Sequence, residues 1–305
     1  MTSRKAVRPQ ADGLSVYLES RRKLVEKALA RSVPAAAVRP STIHRAMRHS
    51  LLAGGKRLRP ILMLAAAEAC GVTDLKDILP AACAVELIHT YSLVHDDLPC
   101  MDDDDLRRGI PACHKAYGEG IAVLAGDALL TRAFGLLSAV TPAKRYPLAS
   151  LLAETAEVAG SLQLIAGQVA DLEAEGRTLS VSDVRYIHER KTGAMIVLSL
   201  RLGAMLADAA PRDLKALTGF GKALGLAFQI LDDILDVTST SEQLGKSAGK
   251  DLKASKATYP AVLGLAGARV EAGKKTCSAL RMLAPLGSRG DRLRQIAESL
   301  LTREV

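Results

Sequence analysis

Hydrophobic residues recur along most of this chain at the three- and four-residue intervals of an amphipathic α-helix. The pattern is clearest in residues 81–98 and 214–237, and each of these stretches carries one apolar stripe. The stripes consist of Leu87, Tyr91, Val94 and Leu98 in the first stretch, and of Leu224, Phe228, Leu231 and Leu235 in the second. No stretch of useful length alternates with the two-residue period of a β-strand. The pattern therefore predicts an all-α protein.

Weaker helical patterns cover most of the remaining sequence. They span residues 14–30, a segment that begins at Ser41 and ends at Gly54-Gly55, and residues 121–137, 148–164, 182–206 and 260–301, the last broken near 285–290. Ser41 and Ser182 are suited to cap the helices that they begin. Residues 1–12 show no such pattern, and we predict that they are disordered.

An acidic run follows the first strong helix directly. Six aspartates lie within residues 96–105, and Arg107 and Arg108 come immediately after them. Like charges at this density repel each other, so we expect a bound cation to neutralise them. Mg²⁺ is typically held by one or two carboxylates together with substrate phosphates, and arginine side chains bind phosphates well. A solvated acidic loop is the alternative interpretation.

The spacing of this first acidic group requires a break in its helix. Asp96 and Asp102 are six residues apart and would not share a face of a straight helix. Pro99 interrupts the helix because it cannot donate to the preceding turn. A local bulge at Pro99-Cys100 could therefore bring the two carboxylates together.

A second acidic group lies on the other strong helix. Asp232 and Asp236 belong to an Asp-Asp-Ile-Leu-Asp sequence, and Gln229 shares their helix face at spacings of three and four residues. One acidic group on an amphipathic helix could arise by chance, but two such groups, each on its own helix, are much less expected to do so. The second group therefore strengthens the interpretation that the acidic residues are functional.

A glycine-rich basic segment precedes another predicted helix. Between Gly54 and Pro60, Lys56 and Arg59 are three residues apart, and Pro60 suits the first helical turn. Basic side chains beside a helix N-terminus could bind an anion. The GxxxxGK[ST] pattern of a P-loop is absent, and a basic surface turn is the alternative.

Three other segments carry side chains that suit an anionic substrate. His89 lies about two turns, or roughly 10 Å, before Asp96 on one helix face, although a single histidine on a helix is more often structural. Lys191-Thr192-Gly193 interrupts a helical stretch at a common kink site. The segment 238–258 is rich in lysine and is typical of a lid over an anionic site, with a solvated linker as the alternative. Its lysines include Lys246 and Lys256.

Composition narrows the class of protein. The net charge is +8, and the first 60 residues hold 14 Lys or Arg but only 3 Asp or Glu. Aromatic residues make up 3% of the chain and Trp is absent, which argues against a base-stacking nucleic-acid fold. The 5 cysteines form no CxxC motif and indicate free thiols in a reducing compartment rather than a zinc site.

No signal peptide is visible and the apolar runs are short, so we predict a soluble, cytoplasmic protein without stable membrane insertion.

Taken in order, these motifs resemble those of the trans-isoprenyl diphosphate synthases, most closely the bacterial type of farnesyl diphosphate synthase. The resemblance covers about residues 14–300, and five motifs in the same order make it specific. The motifs are Gly-Gly-Lys-Arg-Leu-Arg-Pro at 54–60, Asp-Asp-x4-Asp at 96–102 with Arg107-Arg108, Lys191-Thr192-Gly193, Gln229 with Asp-Asp-Ile-Leu-Asp at 232–236, and Lys246 with Lys256.

The resemblance implies one all-α domain over residues 13–305, folded as a helical bundle around a deep central cavity and paired as a homodimer. It also implies a prenyltransferase that uses Mg²⁺, about three ions per active site with substrate bound. The substrates would be isopentenyl diphosphate and the allylic dimethylallyl and geranyl diphosphates. The metal ions would be held by Asp96, Asp102, Asp232 and Asp236.

The resemblance also divides the polar residues between the two substrates. Isopentenyl diphosphate would bind to Lys56, Arg59, His89 and Arg108. The allylic diphosphate would meet Arg107, Lys191, Thr192, Gln229, Lys246 and Lys256. Thr192 and Gln229 would in addition offer oxygen dipoles to the carbocation that forms when the allylic C–O bond breaks.

Product length is expected to depend on the helix before the first acidic group. Tyr91 and Ser92 lie five and four residues before Asp96. In bacterial-type farnesyl synthases, an aromatic residue at the fifth position and a two-residue insertion in the motif close the product pocket. Pro99-Cys100 matches that insertion, so we predict a C15 product. The alternatives are a geranylgeranyl or longer-chain diphosphate synthase and, from another class, a non-catalytic subunit of a heteromeric prenyl synthase.

Overall fold

The computed structural model describes residues 11–238 and 258–301. The first part contains α1 (Ala11–Ser32), α2 (Ser41–Leu51), α3 (Leu58–Ala69), α4 (Leu79–Asp96), a hairpin of β1 (Leu106–Arg107) and β2 (Ile110–Pro111), α5 (Cys113–Tyr117), α6 (Glu119–Leu137), α7 (Leu148–Ala159) and α8 (Leu164–Ala174). The second part contains α9 (Val181–His188), a π-helical segment (Glu189–Gly193), α10 (Ala194–Leu206), α11 (Pro211–Thr238), α12 (Tyr259–Met282), a 3-10 helix (Ala284–Gly290) and α13 (Asp291–Leu301).

The all-α prediction is confirmed. Within the described ranges, the two antiparallel strands pair over only two residues each, with Leu106 opposite Pro111 and Arg107 opposite Ile110. The turn between them needs positive φ angles, 54° at Arg108 and 80° at Gly109, as in tight hairpin turns. Strands this short leave no alternating pattern, which is why the sequence did not indicate them.

Helix α4 lies in the middle of the largest hydrophobic cluster. Its sequence is apolar on nearly every side, and 11 of its 18 residues are buried, so it behaves as a core helix rather than a surface one. It packs against α6 and also contacts α1 and α3. Because close-packed neighbours hold it on several sides, the polar residues that it carries are held in fixed positions.

Close backbone contacts hold the second half of the bundle together. Helices α3 and α10 approach so closely that a Cβ atom on Gly203 would overlap the carbonyl oxygen of Met63. Likewise, a Cβ atom on Gly225 of α11 would lie 2.8 Å from the Cα atom of Gly193 in the π-helical segment. The lack of a side chain at Gly203 allows α3 and α10 to pack closely, and the lack of one at Gly225 allows the π-helical segment to lie directly on α11.

Ser41 does not cap α2 as predicted. It is the first residue of that helix, Pro40 occupies the N-cap position, and no side-chain cap hydrogen bond forms there.

Three other predicted helix boundaries differ from the structure. The predicted helix 148–164 is interrupted, because Gly160 is extended (φ −89°, ψ −167°) and separates α7 from α8. Ser180, rather than Ser182, caps α9: its hydroxyl accepts from the N–H of Asp183, whose carboxylate accepts from the N–H of Ser180. Helix α1 begins at Ala11, and residues 1–10, most of the predicted disordered segment, lie outside the described residues.

Two helical stretches, Glu119–Leu137 and Leu148–Ala174, are long and apolar enough to cross a bilayer by length and composition alone. Only a minority of the residues in each stretch is buried within the monomer. Core and interface helices of soluble proteins share these properties, so the two stretches are weak support for a membrane protein.

Candidate active site

The first acidic group forms a tight loop at the carboxyl end of α4. The helix ends at Asp96, and the N–H of Asp102 donates to the carbonyl oxygen of Asp96 at 2.8 Å. The chain therefore turns back onto the helix end after Pro99. This is the realignment that the six-residue spacing predicted for the break at Pro99-Cys100.

The carboxylate of Asp96 lies in an unfavourable environment for a negative charge. Its pKa is raised to about 6, first by burial and then by the carboxylates of Asp102 and Asp97, while Lys191 and Arg107 oppose the shift. The carboxyl end of a helix adds further negative potential. A cation bound between these carboxylates would reverse the shift, which is the physical reason to expect one here.

The neighbouring carboxylate of Asp97 has a different role. Asp97 is 2% exposed and accepts hydrogen bonds from Arg107, whose Nε lies 2.9 Å from Oδ1. Arg107 also donates to Asp104 at 3.2 Å, and Asp105 pairs with Lys115 at 2.7 Å. The remaining acids of the run thus orient basic side chains around the loop, and Arg107 is held at the edge of the Asp96–Asp102 site.

The glycine-rich basic segment forms a cradle for Arg108. The Nη1 atom of Arg108 donates to the carbonyl oxygen of Gly54 at 2.5 Å. Gly55 has φ +123°, and a Cβ atom there would lie 2.9 Å from the Cζ atom of Arg108. The two glycines therefore provide both the acceptor and the space for this guanidinium, while Lys56 is exposed beside them.

A buried glutamate lies among the guanidinium groups of this region. Glu86 of α4 is 1% exposed and accepts a hydrogen bond from Nη1 of Arg57 at 2.8 Å, and Nη2 of Arg108 lies 3.8 Å away. Arg57 also donates to the carbonyl oxygen of Leu51 at 2.8 Å. Burial lowers the pKa of Arg59, and the charge of Glu86 opposes that shift. One carboxylate among three guanidinium groups leaves a surplus of positive charge that suits a diphosphate.

His89 lies one turn after Glu86 on α4 and is neutral. Its pKa is lowered well below the usual value, first by burial and then by the positive charges of Arg59 and Arg108. A neutral imidazole can still donate one hydrogen bond to an anion. Ser92, one turn further on, donates to the carbonyl oxygen of His89 at 2.9 Å.

The π-helical segment places two predicted site residues beside other helices. The hydroxyl of Thr192 donates to Oε1 of Gln229 on α11 at 2.9 Å. Lys191 pairs with Asp171 of α8 at 2.7 Å. The segment contains one extra residue per turn, and such single π turns often occur at functional sites.

The second acidic group lies near the basic segment. On α11, Asp232 is exposed and Asp236 is buried. The charge of Asp232 acts on the buried guanidinium of Arg59, so α11 and the basic segment lie within electrostatic range of one another. The charge of Lys191 reaches Asp96 in the same way and relates the π-helical segment to the first acidic group. Two further predicted contacts, Lys246 and Lys256, lie outside the described residues.

Tyr91, the predicted floor residue, is buried between α4 and α7. Its hydroxyl lies 3.5 Å from the carbonyl oxygen of Ala159, and its ring meets that of His95 edge to face at 5.8 Å. Burial, followed by the charge of Asp96, raises the pKa of Tyr91 to about 12. The phenol therefore stays neutral. Ser92 is partly buried beside it.

The carboxylates fit a metal ion that is shared with substrate. In the described part of the chain, no three His, Cys, Asp or Glu side chains converge as a complete protein cage. Mg²⁺ normally takes one or two carboxylates together with substrate phosphates and water, so a complete cage is not required. The raised pKa of Asp96 beside Asp102 is the feature that such an ion would relieve.

Comparisons with known proteins identify the family of this chain. A sequence model described as polyprenyl synthetase matches residues 40–284. The chain is 45% identical to farnesyl diphosphate synthase of Geobacillus stearothermophilus, over 94% of this chain and 97% of that protein. The crystal structure of an FPP/GFPP synthase from Zymomonas mobilis superposes with a TM-score of 0.83 at 34% identity and covers 96% of this chain and 100% of that one.

This chain belongs to the polyprenyl synthetase family. It is therefore a prenyltransferase of isoprene biosynthesis. A heterodimeric geranylgeranyl pyrophosphate synthase large subunit from Arabidopsis thaliana is 47% identical over 87% of this chain and 72% of that protein. Because synthases named for C15 and for C20 products match equally well, product length must be argued from the pocket.

Three acidic residues of this polyprenyl synthetase were missed in the sequence. Asp97 accepts a hydrogen bond from Arg107, and Asp171 accepts one from Lys191. Glu86 lies 3.8 Å from Arg108. Each of these predicted diphosphate contacts therefore has a carboxylate partner. A signal existed for Glu86 alone, because a glutamate within an apolar helical run must find a buried partner. The other two pairings join residues that no local pattern relates.

We predict that Glu86→Gln destabilises this synthase by about 3–5 kcal/mol, because the guanidinium of Arg57 then remains buried without its counter-charge. Urea unfolding followed by circular dichroism measures the effect. Glu19→Gln, which removes an exposed partner of Arg22, is the control and should leave the midpoint unchanged. Equal midpoints for Glu86→Gln and wild type would show that the buried pair contributes nothing.

Proposed function

We propose that this prenyltransferase condenses isopentenyl diphosphate head-to-tail with dimethylallyl diphosphate and then with geranyl diphosphate, giving (E,E)-farnesyl diphosphate. The observation that carries the proposal is the juxtaposition of two unlike sites. The Asp96–Asp102 loop and Asp232 supply carboxylates, whereas Arg59 and Arg108 supply guanidinium groups. In the proposed reaction one diphosphate departs with negative charge, which metal ions would stabilise, while the other stays bonded to its substrate and can be held by guanidinium groups.

The acidic side would bind the allylic substrate. Asp96, Asp102, Asp232 and Asp236 would hold the magnesium ions, which when bound stabilise the negative charge that develops on the departing diphosphate. Arg107, held by Asp97, and Lys191, held by Asp171, would contact the same diphosphate. Lys246 and Lys256 complete this proposed set.

The carbocation left after the allylic C–O bond breaks needs oxygen dipoles and no strong nucleophile. The hydroxyl oxygen of Thr192 and the amide oxygen of Gln229 are joined by a hydrogen bond at 2.9 Å and would provide those dipoles. Ionised carboxylates close to the cation would attack it, and the metal ions would keep the carboxylates occupied.

The basic side would bind isopentenyl diphosphate. Lys56, Arg59 and Arg108 would meet its phosphate oxygens, and neutral His89 would donate one hydrogen bond. Its double bond would then attack the allylic carbocation. The proton that is lost would pass to the released diphosphate, since this proposal assigns no residue of the chain as the base.

The C15 product is proposed from the position of Tyr91. The buried ring lies five residues before Asp96 on the helix that would line the product pocket, with Ser92 next to it. A prenyl product that grew past this ring would have to displace the ring of Tyr91 from its contact with His95. A geranylgeranyl synthase is the second candidate, supported by the equal identity of the C20-forming relatives.

We also propose that the enzyme is a cytoplasmic homodimer. The cysteines within the described ranges are free thiols, as expected in a reducing compartment. Helix α6 and the α7–α8 region expose a row of apolar side chains that a second copy would cover. The row consists of Val123, Leu124, Leu162, Ile165 and Val169.

The purified enzyme, incubated with Mg²⁺, isopentenyl diphosphate and dimethylallyl diphosphate, should form farnesyl diphosphate as the main product. Chromatography of the dephosphorylated alcohols measures the chain lengths. A dominant C20 alcohol would contradict the C15 proposal. The absence of any elongation would instead support the non-catalytic subunit.

Tyr91→Ala should lengthen the main product by at least one C5 unit, because it opens the floor of the pocket. Tyr91→Phe retains the ring and should keep the wild-type product, so it serves as the matched control. The same chromatography reads both variants. A C15 product from Tyr91→Ala would rule out this ring as the floor.

Sedimentation equilibrium at micromolar concentration should give twice the monomer mass of 32.2 kDa. Leu124→Glu should shift the protein towards monomer, because Leu124 is 55% exposed in the monomer and lies in the proposed interface. Val270→Glu, at an exposed position of α12 outside that row, is the control. A monomeric wild type would refute the dimer.

A further inference from the structure

The two adjacent aspartates of the second acidic group lie in different environments. Asp232 is exposed, whereas Asp233 is 4% exposed. Both oxygens of Asp233 accept hydrogen bonds from the protein. Oδ1 accepts from Nε2 of Gln229 at 3.2 Å, and Oδ2 accepts from the backbone N–H of Tyr259 at 2.9 Å. These two donors hold the carboxylate of Asp233 towards Gln229 and the start of α12.

Asp233 determines which end of the Gln229 amide faces Thr192. A glutamine amide has a donating NH2 group and an accepting oxygen of nearly equal size, so its orientation depends on its partners. Asp233 accepts only and therefore takes the NH2 end of Gln229. This leaves Oε1 of Gln229 to accept from the hydroxyl of Thr192 at 2.9 Å. The carboxylate of Asp233 thus sets the donor-to-acceptor direction of both hydrogen bonds, from Thr192 to Gln229 and from Gln229 to Asp233.

The same carboxylate joins three separate elements. Through Gln229 it reaches the π-helical segment, and through the N–H of Tyr259 it holds the start of α12. His188 of α9 lies 3.6 Å from Oδ2, and its ring is 5.5 Å from that of Tyr259. The contacts with Tyr259 and His188 are buried and that with Gln229 is partly buried, so the carboxylate position is fixed from several sides.

We propose that Asp233 is a positioning residue that orients the amide oxygen of Gln229 towards the substrate carbocation, and that it is not a metal ligand. If the amide turned over, its NH2 group would present partial positive charge to a cation, and the transition state would lose stabilisation. The inference rests on the proposed prenyl transfer, in which Gln229 supplies an oxygen dipole. The proposal gives the two adjacent aspartates different roles: Asp232 would bind a metal ion, and Asp233 would orient the side chain of Gln229.

The test compares Asp233→Asn with Asp232→Asn in steady-state assays that vary Mg²⁺ and each substrate. Asp233→Asn should lower kcat by roughly 10–100-fold, with the half-saturating Mg²⁺ concentration within about twofold of wild type. Asp232→Asn should raise that Mg²⁺ concentration by about tenfold or more. A tenfold rise for Asp233→Asn would show that it is a metal ligand and would overturn the proposal.

A double variant tests whether Asp233 acts through Gln229. Asp233→Asn combined with Gln229→Ala should be no slower than Gln229→Ala alone, because the oriented group is already absent. A full additional loss would contradict the proposal. If Asp233→Asn does not fold, Asp233→Glu keeps the charge, moves the carboxylate and should show the same kcat loss without a change in the Mg²⁺ requirement. A wild type that makes no prenyl product would instead refute the proposed function.

Discussion

The burial of carboxylates at the carboxyl end of α4 is the constraint on which the site depends. Asp96, Asp97 and Asp102 lie together where the helix dipole is also negative. Arg107 pairs directly with Asp97, whereas burial and the neighbouring carboxylates leave Asp96 with a pKa of about 6, although the charges of Lys191 and Arg107 oppose the shift. A site with this electrostatic imbalance is suited to take its missing positive charge from metal ions that arrive with an anionic substrate.

The opposite imbalance exists beside the middle of the same helix, α4. Glu86 is the buried carboxylate there, and it meets Arg57 directly while Arg108 and Arg59 lie near it. One helix thus carries an excess of negative charge at its end and borders an excess of positive charge less than three turns earlier. Two diphosphates of the same chemical type can be told apart in this way, one by its metal ions and the other by guanidinium groups.

Much of this arrangement could be predicted from local spacing. The break at Pro99-Cys100 predicted the return of Asp102 to Asp96, and the Lys191-Thr192-Gly193 kink appears as a π-helical segment beside Gln229. The sequence could indicate that Glu86 needs a buried partner, but not which one, because the pairs Glu86–Arg57 and Asp171–Lys191 are 29 and 20 residues apart in sequence. Such pairs depend on helix packing. The break at Gly160 was missed for a related reason, since an apolar period continues across it.

The central claim is that the acidic side binds an allylic diphosphate through metal ions. Calorimetric titration with an unreactive allylic thiolodiphosphate, in Mg²⁺ and then in excess EDTA, tests it directly. The account predicts binding in Mg²⁺ and a loss of affinity of about 100-fold or more in EDTA, because the carboxylates would then repel the ligand. Equal affinity in both solutions would contradict the account.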